Sequence, residues 1–182
     1  MRKQRETPLS PKRARGARPM VEIERKFLVQ GTPWSDPAWG PGRFYRQGYL
    51  STDPEGATVR VRLEGERAVL TIKGPTRGIE RAEFEYEIPP IEAKQLLETL
   101  CAQPLIEKRR WEINYRGARW EVDLFGGENE GLVIAEIELP SADHVFEAPP
   151  WLGREVSSDP RYFNAALQKR PWLYWGPSEP PP

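Results

Sequence analysis

The sequence predicts a mainly β domain with α-helix only at its periphery: a closed, eight-stranded antiparallel β-barrel, a tunnel with a polar, charged interior and flanking helices. Three observations predict it. Eight segments alternate in side-chain character with the period of two that a strand imposes. Turn signals join most of them through short connections. On almost every segment the charged residues share one face and the apolar residues the other. An even number of antiparallel strands lets the first pair with the last, so the sheet closes and leaves no exposed edge. The apolar faces then point outward and need covering by helices, by Trp-bearing loops or by a second subunit, which makes a homodimer one expected assembly.

Each element has its own justification. Residues 21–29 set Glu22, Glu24 and Lys26 on one face and Val21, Ile23, Phe27 and Val29 on the other, with Arg25 the lone charge in the apolar set. A loop rich in Pro, Gly and Trp (31–42) leads to residues 43–50, where Tyr45, Gln47 and Tyr49 share a face. Asp53-Pro54-Glu55-Gly56 signals a turn. Residues 58–63 oppose Arg60 and Arg62 to Val59, Val61 and Leu63. Glu64-Gly65-Glu66 then turns into 68–73, where Thr71 and Lys73 oppose Leu70 and Ile72, as in a hairpin. Residues 79–88 alternate most clearly, with Arg81, Glu83, Glu85 and Glu87 against Ala82, Phe84, Tyr86 and Ile88. After Pro89-Pro90, helical spacing over 91–101 offers Ile91, Leu96, Leu97 and Leu100 as an apolar stripe.

Three further strands follow. Residues 105–115 put Lys108, Arg110 and Glu112 opposite Trp111, Ile113 and Tyr115, and residues 118–125 put Glu121 and Asp123 opposite Trp120, Val122 and Leu124. In 132–139, Glu136 and Glu138 oppose Ala135, Ile137 and Leu139. Ser141 is placed to cap a short helix ending before Pro149-Pro150, and 159–169 reads as a C-terminal helix.

Composition bounds the chemistry. At 182 residues the chain suits one domain, spanning 20–175 between a basic tail (1–19) and a Pro-rich end (176–182). The tail carries seven Lys or Arg against Glu6 and almost nothing to bury, so it reads as disordered, with Met20 an alternative start. The remainder is correspondingly acidic, which argues against nucleic acid as a partner. No apolar stretch reaches the length of a membrane span and the tail lacks the apolar core of a signal peptide, so no membrane partner is expected. A single Cys101 excludes an internal disulfide and suits a reducing, cytoplasmic setting. With His144 the one histidine, any metal must be held by carboxylates.

The charges form like-signed sets. Glu22/Glu24, Glu83/Glu85, Glu121/Asp123 and Glu136/Glu138 are acidic pairs two residues apart; Arg60/Arg62, Lys73, Lys108 and Arg110 are basic. Two readings stand. These faces meet solvent, or they line an interior in which counter-ions offset like charges held close together. A phosphate chain for the basic set and magnesium or manganese for the acidic set would be such counter-ions.

A resemblance adds to this. Glu22-x-Glu24-x-Lys26, followed in order by Arg46-Gln47-Gly48-Tyr49-Leu50, Val59-Arg60-Val61-Arg62, Thr71-Ile72-Lys73, Arg81-Ala82-Glu83-Phe84-Glu85, Glu107-Lys108-Arg109-Arg110, Glu121-Val122-Asp123, Glu136-Ile137-Glu138 and Arg161-Tyr162, resembles the CYTH family, the triphosphate tunnel metalloenzymes. It covers about residues 20 to 170 and looks closest to the short bacterial members, which hydrolyse inorganic tripolyphosphate. The resemblance implies a Mg2+- or Mn2+-dependent triphosphatase whose substrate-binding residues are Lys26, Arg60, Arg62, Lys73, Lys108 and Arg110, with Arg81 in addition. It implies Glu22, Glu24 and Glu138 as metal ligands, supported by Glu121, Asp123 and Glu136. Glu83 or Glu85 would orient the attacking water or, equally, pair with the basic residues. A class IV adenylate cyclase and a non-catalytic polyphosphate-binding module are the alternatives. Short members often carry Lys directly after the tyrosine of the C-terminal helix; here Tyr162 precedes Phe163 and Asn164, which bears on substrate preference.

Overall fold

The computed structural model describes residues 23–53, 56–75, 82–141 and 143–176; Glu22, Arg81, the basic tail and residues 177–182 lie outside the described residues. The strands are β1 (Ile23–Val29), β2 (Arg43–Thr52), β3 (Thr58–Glu64), β4 (Arg67–Lys73), β5 (Glu83–Glu87), β6 (Ile106–Tyr115), β7 (Ala118–Phe125), β8 (Val133–Leu139) and β9 (Leu152–Glu155). Two helices accompany them, α1 (Pro90–Thr99) and α2 (Asn164–Lys169).

The strands form one antiparallel sheet in the order β5-β4-β3-β2-β6-β7-β8-β1-β9. Among the described residues the expected closed eight-stranded barrel therefore does not form: the sheet has nine strands and two edges. The first strand does pair with the eighth, with Glu24 opposite Glu138 and Lys26 opposite Glu136. Closure fails because α1 carries the chain from β5 back to the middle of the sheet, where β6 pairs with β2. That leaves β5 with β4 as its strand partner, while β9, absent from the sequence reading, takes the free edge of β1.

The helices also depart from expectation. Proline is tolerated in the first turn of α1, where its missing N–H has no intrahelical role. Ala93 and Leu97 are the helix residues buried against Val61, Leu63 and Ala68; Ile91 and Leu100 are 64% and 65% exposed, so the expected stripe is narrower than its spacing suggested. No helix follows Ser141 among the described residues; instead Phe146 packs edge-on against Phe27 and Trp120, and the chain enters β9. The 159–169 helix is broken. Asp159 accepts from the Arg161 N–H and caps a 3-10 turn (Pro160–Tyr162), Phe163 is extended, and α2 begins only at Asn164.

The two faces of the sheet divide as the alternation requires. Outward-facing Phe27, Trp120, Val122, Ala135 and Ile137 are covered by Trp39, Phe146 and Trp151 from the loops. Trp120 is fully buried, and a change to Ala would cost about 3–5 kcal/mol. The inner face is layered. At one end Leu28, Ile106, Phe125 and Ile134 pack with Val156, Tyr162 and Leu167, so α2 and its flanks plug the groove with apolar side chains. Charged residues occupy the rest.

Gly48 is where β2 passes the end of α1: a Cβ there would lie 2.7 Å from Cys101 Cβ and 2.8 Å from Leu105 Cδ2. Gly48→Val should lower Tm by several degrees, since overpacking costs typically about 1–3 kcal/mol. An unchanged melt would show that α1 shifts freely on the sheet.

Candidate active site

Alternation places one side chain in two on the inner face, and this brings inner-face side chains of eight adjacent strands, from β5 to β1, charged on all of them but β2, around a cavity of about 510 Å³. Glu24, Lys26, Arg60, Arg62, Lys73, Glu83, Glu85, Lys108, Arg110, Glu121, Glu136 and Glu138 all line it. Asp123 lies beneath with no exposed surface. Four lining residues were not singled out as site residues in the sequence: Tyr45, Gln47, Arg119 and Asn164. Strand parity could have found the first three, because Tyr45 and Gln47 share a face with each other and Arg119 shares one with Glu121. Asn164 depends on where α2 docks, which no local pattern encodes.

The like-signed sets of the sequence are interleaved on the β1, β8, β7 and β6 side. Lys26 Nζ donates to Glu24 and, at 2.5 Å, to Glu136. The Lys108 ammonium, 3% exposed, meets Asp123 at 2.5 Å. Arg110 spans Asp123 (2.6 Å from Nε), Glu121 and Glu136 (3.1 Å). Both Asp123 oxygens are thus engaged by cations.

The other side is different. Arg60 approaches Glu85 only at 3.9 Å and donates to Thr71 at 3.3 Å, and Arg62 makes no ion pair among the described residues. The Nε atoms of Arg60 and Arg62 are buried without a partner. A buried, unmet guanidinium donor is costly, so these two forks mark where an anion would be most welcome. Lys73 meets Glu83 at 2.9 Å, and Glu85 accepts from Thr71 at 3.0 Å, so β5 supplies carboxylates to cations that otherwise face the cavity.

Crowding perturbs these groups in opposite directions. Burial, and next the charge of Glu136, push Glu24 up to about 7 against the pull of Lys26. Burial opposes the ionised form of Glu136 too, but Lys26, Lys108 and Arg110 together hold it below the usual carboxylate range. Burial, reinforced by Arg110, lowers Lys108; burial, reinforced by Arg62, lowers Arg60. A carboxyl whose folded pKa is raised adds stability below its unfolded pKa and loses it as pH rises through the folded value. The metal-free protein should therefore lose Tm between pH 5 and 8, and Glu24→Gln should flatten that slope. A slope of the same size in the variant would assign the titration to another group.

The C-terminal departure noted in the sequence also has a place here. The Phe163 ring lies 6.0 Å from Lys26 Nζ, and Asn164 beside it reaches the cavity. An aromatic face thus stands near the lysine at the position where short family members often carry a second cation.

Comparison with known proteins places this fold in a family. The chain belongs to the CYTH domain family, which matches residues 20–166. It is 52% identical over 151 residues to an inorganic triphosphatase from Acetivibrio thermocellus, covering 83% of this chain and 95% of that one. A second inorganic triphosphatase, from Nitrosomonas europaea, is 36% identical over 151 residues, covering 81% and 97%. A solved structure of an inorganic triphosphatase superposes with a TM-score of 0.63 at 34% identity, covering 82% of this chain and 95% of that one.

Proposed function

We propose that the protein hydrolyses a triphosphate, most directly inorganic tripolyphosphate to pyrophosphate and orthophosphate, with Mg2+ or Mn2+. The observation that carries this reading is the pair of buried, unmet guanidinium donors of Arg60 and Arg62 in a cavity whose remaining cations already have carboxylate partners. The names of the two relatives described above point the same way.

Charge balance supports a metal. Seven cationic and six carboxylate side chains line the cavity and Asp123 lies below, so the described site is electrically neutral. A triphosphate brings several negative charges that these groups alone do not offset. The donor set fits a hard divalent cation: Glu24 and Glu138 face each other across β1 and β8, and both line the cavity. No group of three carboxylates is already gathered for an ion among the described residues. Glu24 and Glu136 converge on Lys26 instead, and burial, with repulsion from Glu136 added, raises the Glu24 carboxyl. Glu24 and Glu138 would hold the metal, joined by Glu22, with Glu136 two residues along β8 and Glu121 on neighbouring β7 in support. When bound, a divalent cation offsets phosphate charge and makes a bound water more acidic.

The remaining roles follow from position. Arg60 and Arg62 grip phosphate oxygens by exchanging weak or absent partners for them, and Lys73 joins them by leaving or sharing its 2.9 Å partner Glu83. Lys26, Lys108 and Arg110 present charge already oriented by Glu136, Glu121 and Asp123, so little reorganisation accompanies charge development on the transferring phosphoryl. Asp123 acts as the anchor of Lys108 and Arg110. Glu83 and Glu85 act as counter-ions to Lys73 and Arg60, the second of the two roles the sequence left open for them. Arg81 joins the basic set from outside the described residues.

Phosphorus NMR of products from tripolyphosphate and ATP, each with magnesium and with manganese, tests the proposal. Orthophosphate and pyrophosphate from tripolyphosphate, at a higher kcat/KM than for ATP, support it. Cyclic AMP as the main product from ATP would overturn it in favour of a cyclase, and binding of tripolyphosphate without turnover in favour of a binding module.

A further inference from the structure

Lys26 is held from its main chain as well as from its ammonium. Strand β9 is four residues long and ends at Glu155, which pairs with Phe27, so no strand residue remains to bond the amide of Lys26. Its main-chain groups are nevertheless met. The Lys26 carbonyl accepts from the Val156 N–H at 2.8 Å, and the Lys26 N–H donates to Ser157 Oγ at 2.9 Å. The serine hydroxyl lies 2.7 Å from Glu155 Oε1, well placed to donate to it, and 3.4 Å from the Lys26 carbonyl. Arg25 grips the same Glu155 carboxylate through Nε at 2.9 Å and Nη2 at 2.5 Å. The guanidinium of Arg25 lies over Phe27 and Phe146, 5.2 and 5.1 Å from the ring centroids. A side-chain hydroxyl thus takes the place of the missing strand carbonyl, and the one charge on the apolar side of β1 orients it.

An exposed ion pair alone contributes little to stability, and the Arg25 and Glu155 side chains are 34% and 39% exposed. The value of this network lies in what it touches. The ammonium between Glu24 and Glu136 sits at the end of a flexible four-carbon stem, so its location depends on where the backbone of residue 26 is held.

We propose that Ser157, oriented by Glu155 and Arg25, is a positioning residue that fixes Lys26 for phosphate contact. This rests on the phosphate-handling role of Lys26. Misplacing a reacting group by about 1 Å can cost as much as a hundredfold in rate, and a hydroxyl acting through one backbone amide should account for part of that.

The experiment compares wild type, Ser157→Ala, Ser157→Thr and Glu155→Gln. It measures turnover of tripolyphosphate, tripolyphosphate affinity by calorimetry, and hydrogen exchange at the Lys26 amide by NMR. In Ser157→Ala, kcat should fall about tenfold and affinity by a few-fold, Lys26 exchange should accelerate at least about tenfold, and Leu28 exchange should stay unchanged. Ser157→Thr keeps the hydroxyl and should restore all three; Glu155→Gln should fall between. Fast Lys26 exchange with undiminished kcat and affinity would reduce Ser157 to a strand-end cap and overturn the proposal, as would a threonine variant as impaired as the alanine one. If wild type leaves tripolyphosphate intact, the triphosphatase reading fails instead. Affinity and exchange then decide the positioning role, which is overturned if Ser157→Ala leaves both unchanged.

Discussion

Glu24→Gln should reduce kcat on tripolyphosphate at least about a hundredfold while the protein stays folded, because in the proposed mechanism it removes a ligand of the activating metal. The structure separates this loss from any loss of fold. Glu24 lies at the cavity with its carboxyl already raised to about 7 by burial and by Glu136, so neutralising it relieves repulsion. Near pH 8 the variant should melt no lower than wild type. Because the metal takes the ionised carboxylate, its affinity should rise with pH through about 7, and magnesium or manganese should raise Tm more at pH 8 than at pH 5. The same changes at Glu138, which faces Glu24 across the strands, should act alike. Turnover that persists in EDTA would sink the metal-dependent account.

The arginines should divide into two kinds. Arg62→Ala and Arg60→Ala should each cost roughly 2–4 kcal/mol of transition-state stabilisation, seen in kcat/KM. Neither should lower Tm without ligand, since each removes a crowded cation whose Nε has no partner. Arg110→Ala should lose activity and stability together. It leaves Asp123 buried with Lys108 as its remaining cation and removes a partner of Glu121 and Glu136, a change of about 3–5 kcal/mol for a broken buried pair. Equal Tm losses for Arg62→Ala and Arg110→Ala would mean that Arg62 is a structural ion-pair partner as well.

Much of the site was legible because side-chain alternation is local. Once 58–63 and 118–125 read as strands, Arg60 and Arg62, or Glu121 and Asp123, had to share a face whatever the strands paired with. Alternation also separated the apolar faces from the charged ones, but which face points outward, and that Trp39, Phe146 and Trp151 rather than a helix or a second subunit cover Phe27 and Trp120, came from the structure. Local pattern did not reveal that Asp123 lies sealed beneath Lys108 and Arg110, since parity assigns a face but not a depth. Nor did it reveal the helix that fails after Ser141, where Phe146 gains more by packing on Phe27 and Trp120 than a short unstriped helix offers.

By itself, then, the sequence determined which residues are charged on one side of which strands, and the order of fragments that marks a CYTH domain. Face assignment depends on neighbours two residues apart, and each fragment is only a few residues long. The tertiary structure alone decided that β2 pairs with β6, that β5 and β9 end an open sheet, and that α2 plugs one end of the groove. It also decided that Ser157, more than a hundred residues from Lys26 in the chain, meets its amide. Pairing order, depth and docking depend on which distant surfaces exclude water together and which distant donors find acceptors, and such contacts leave no period in the chain.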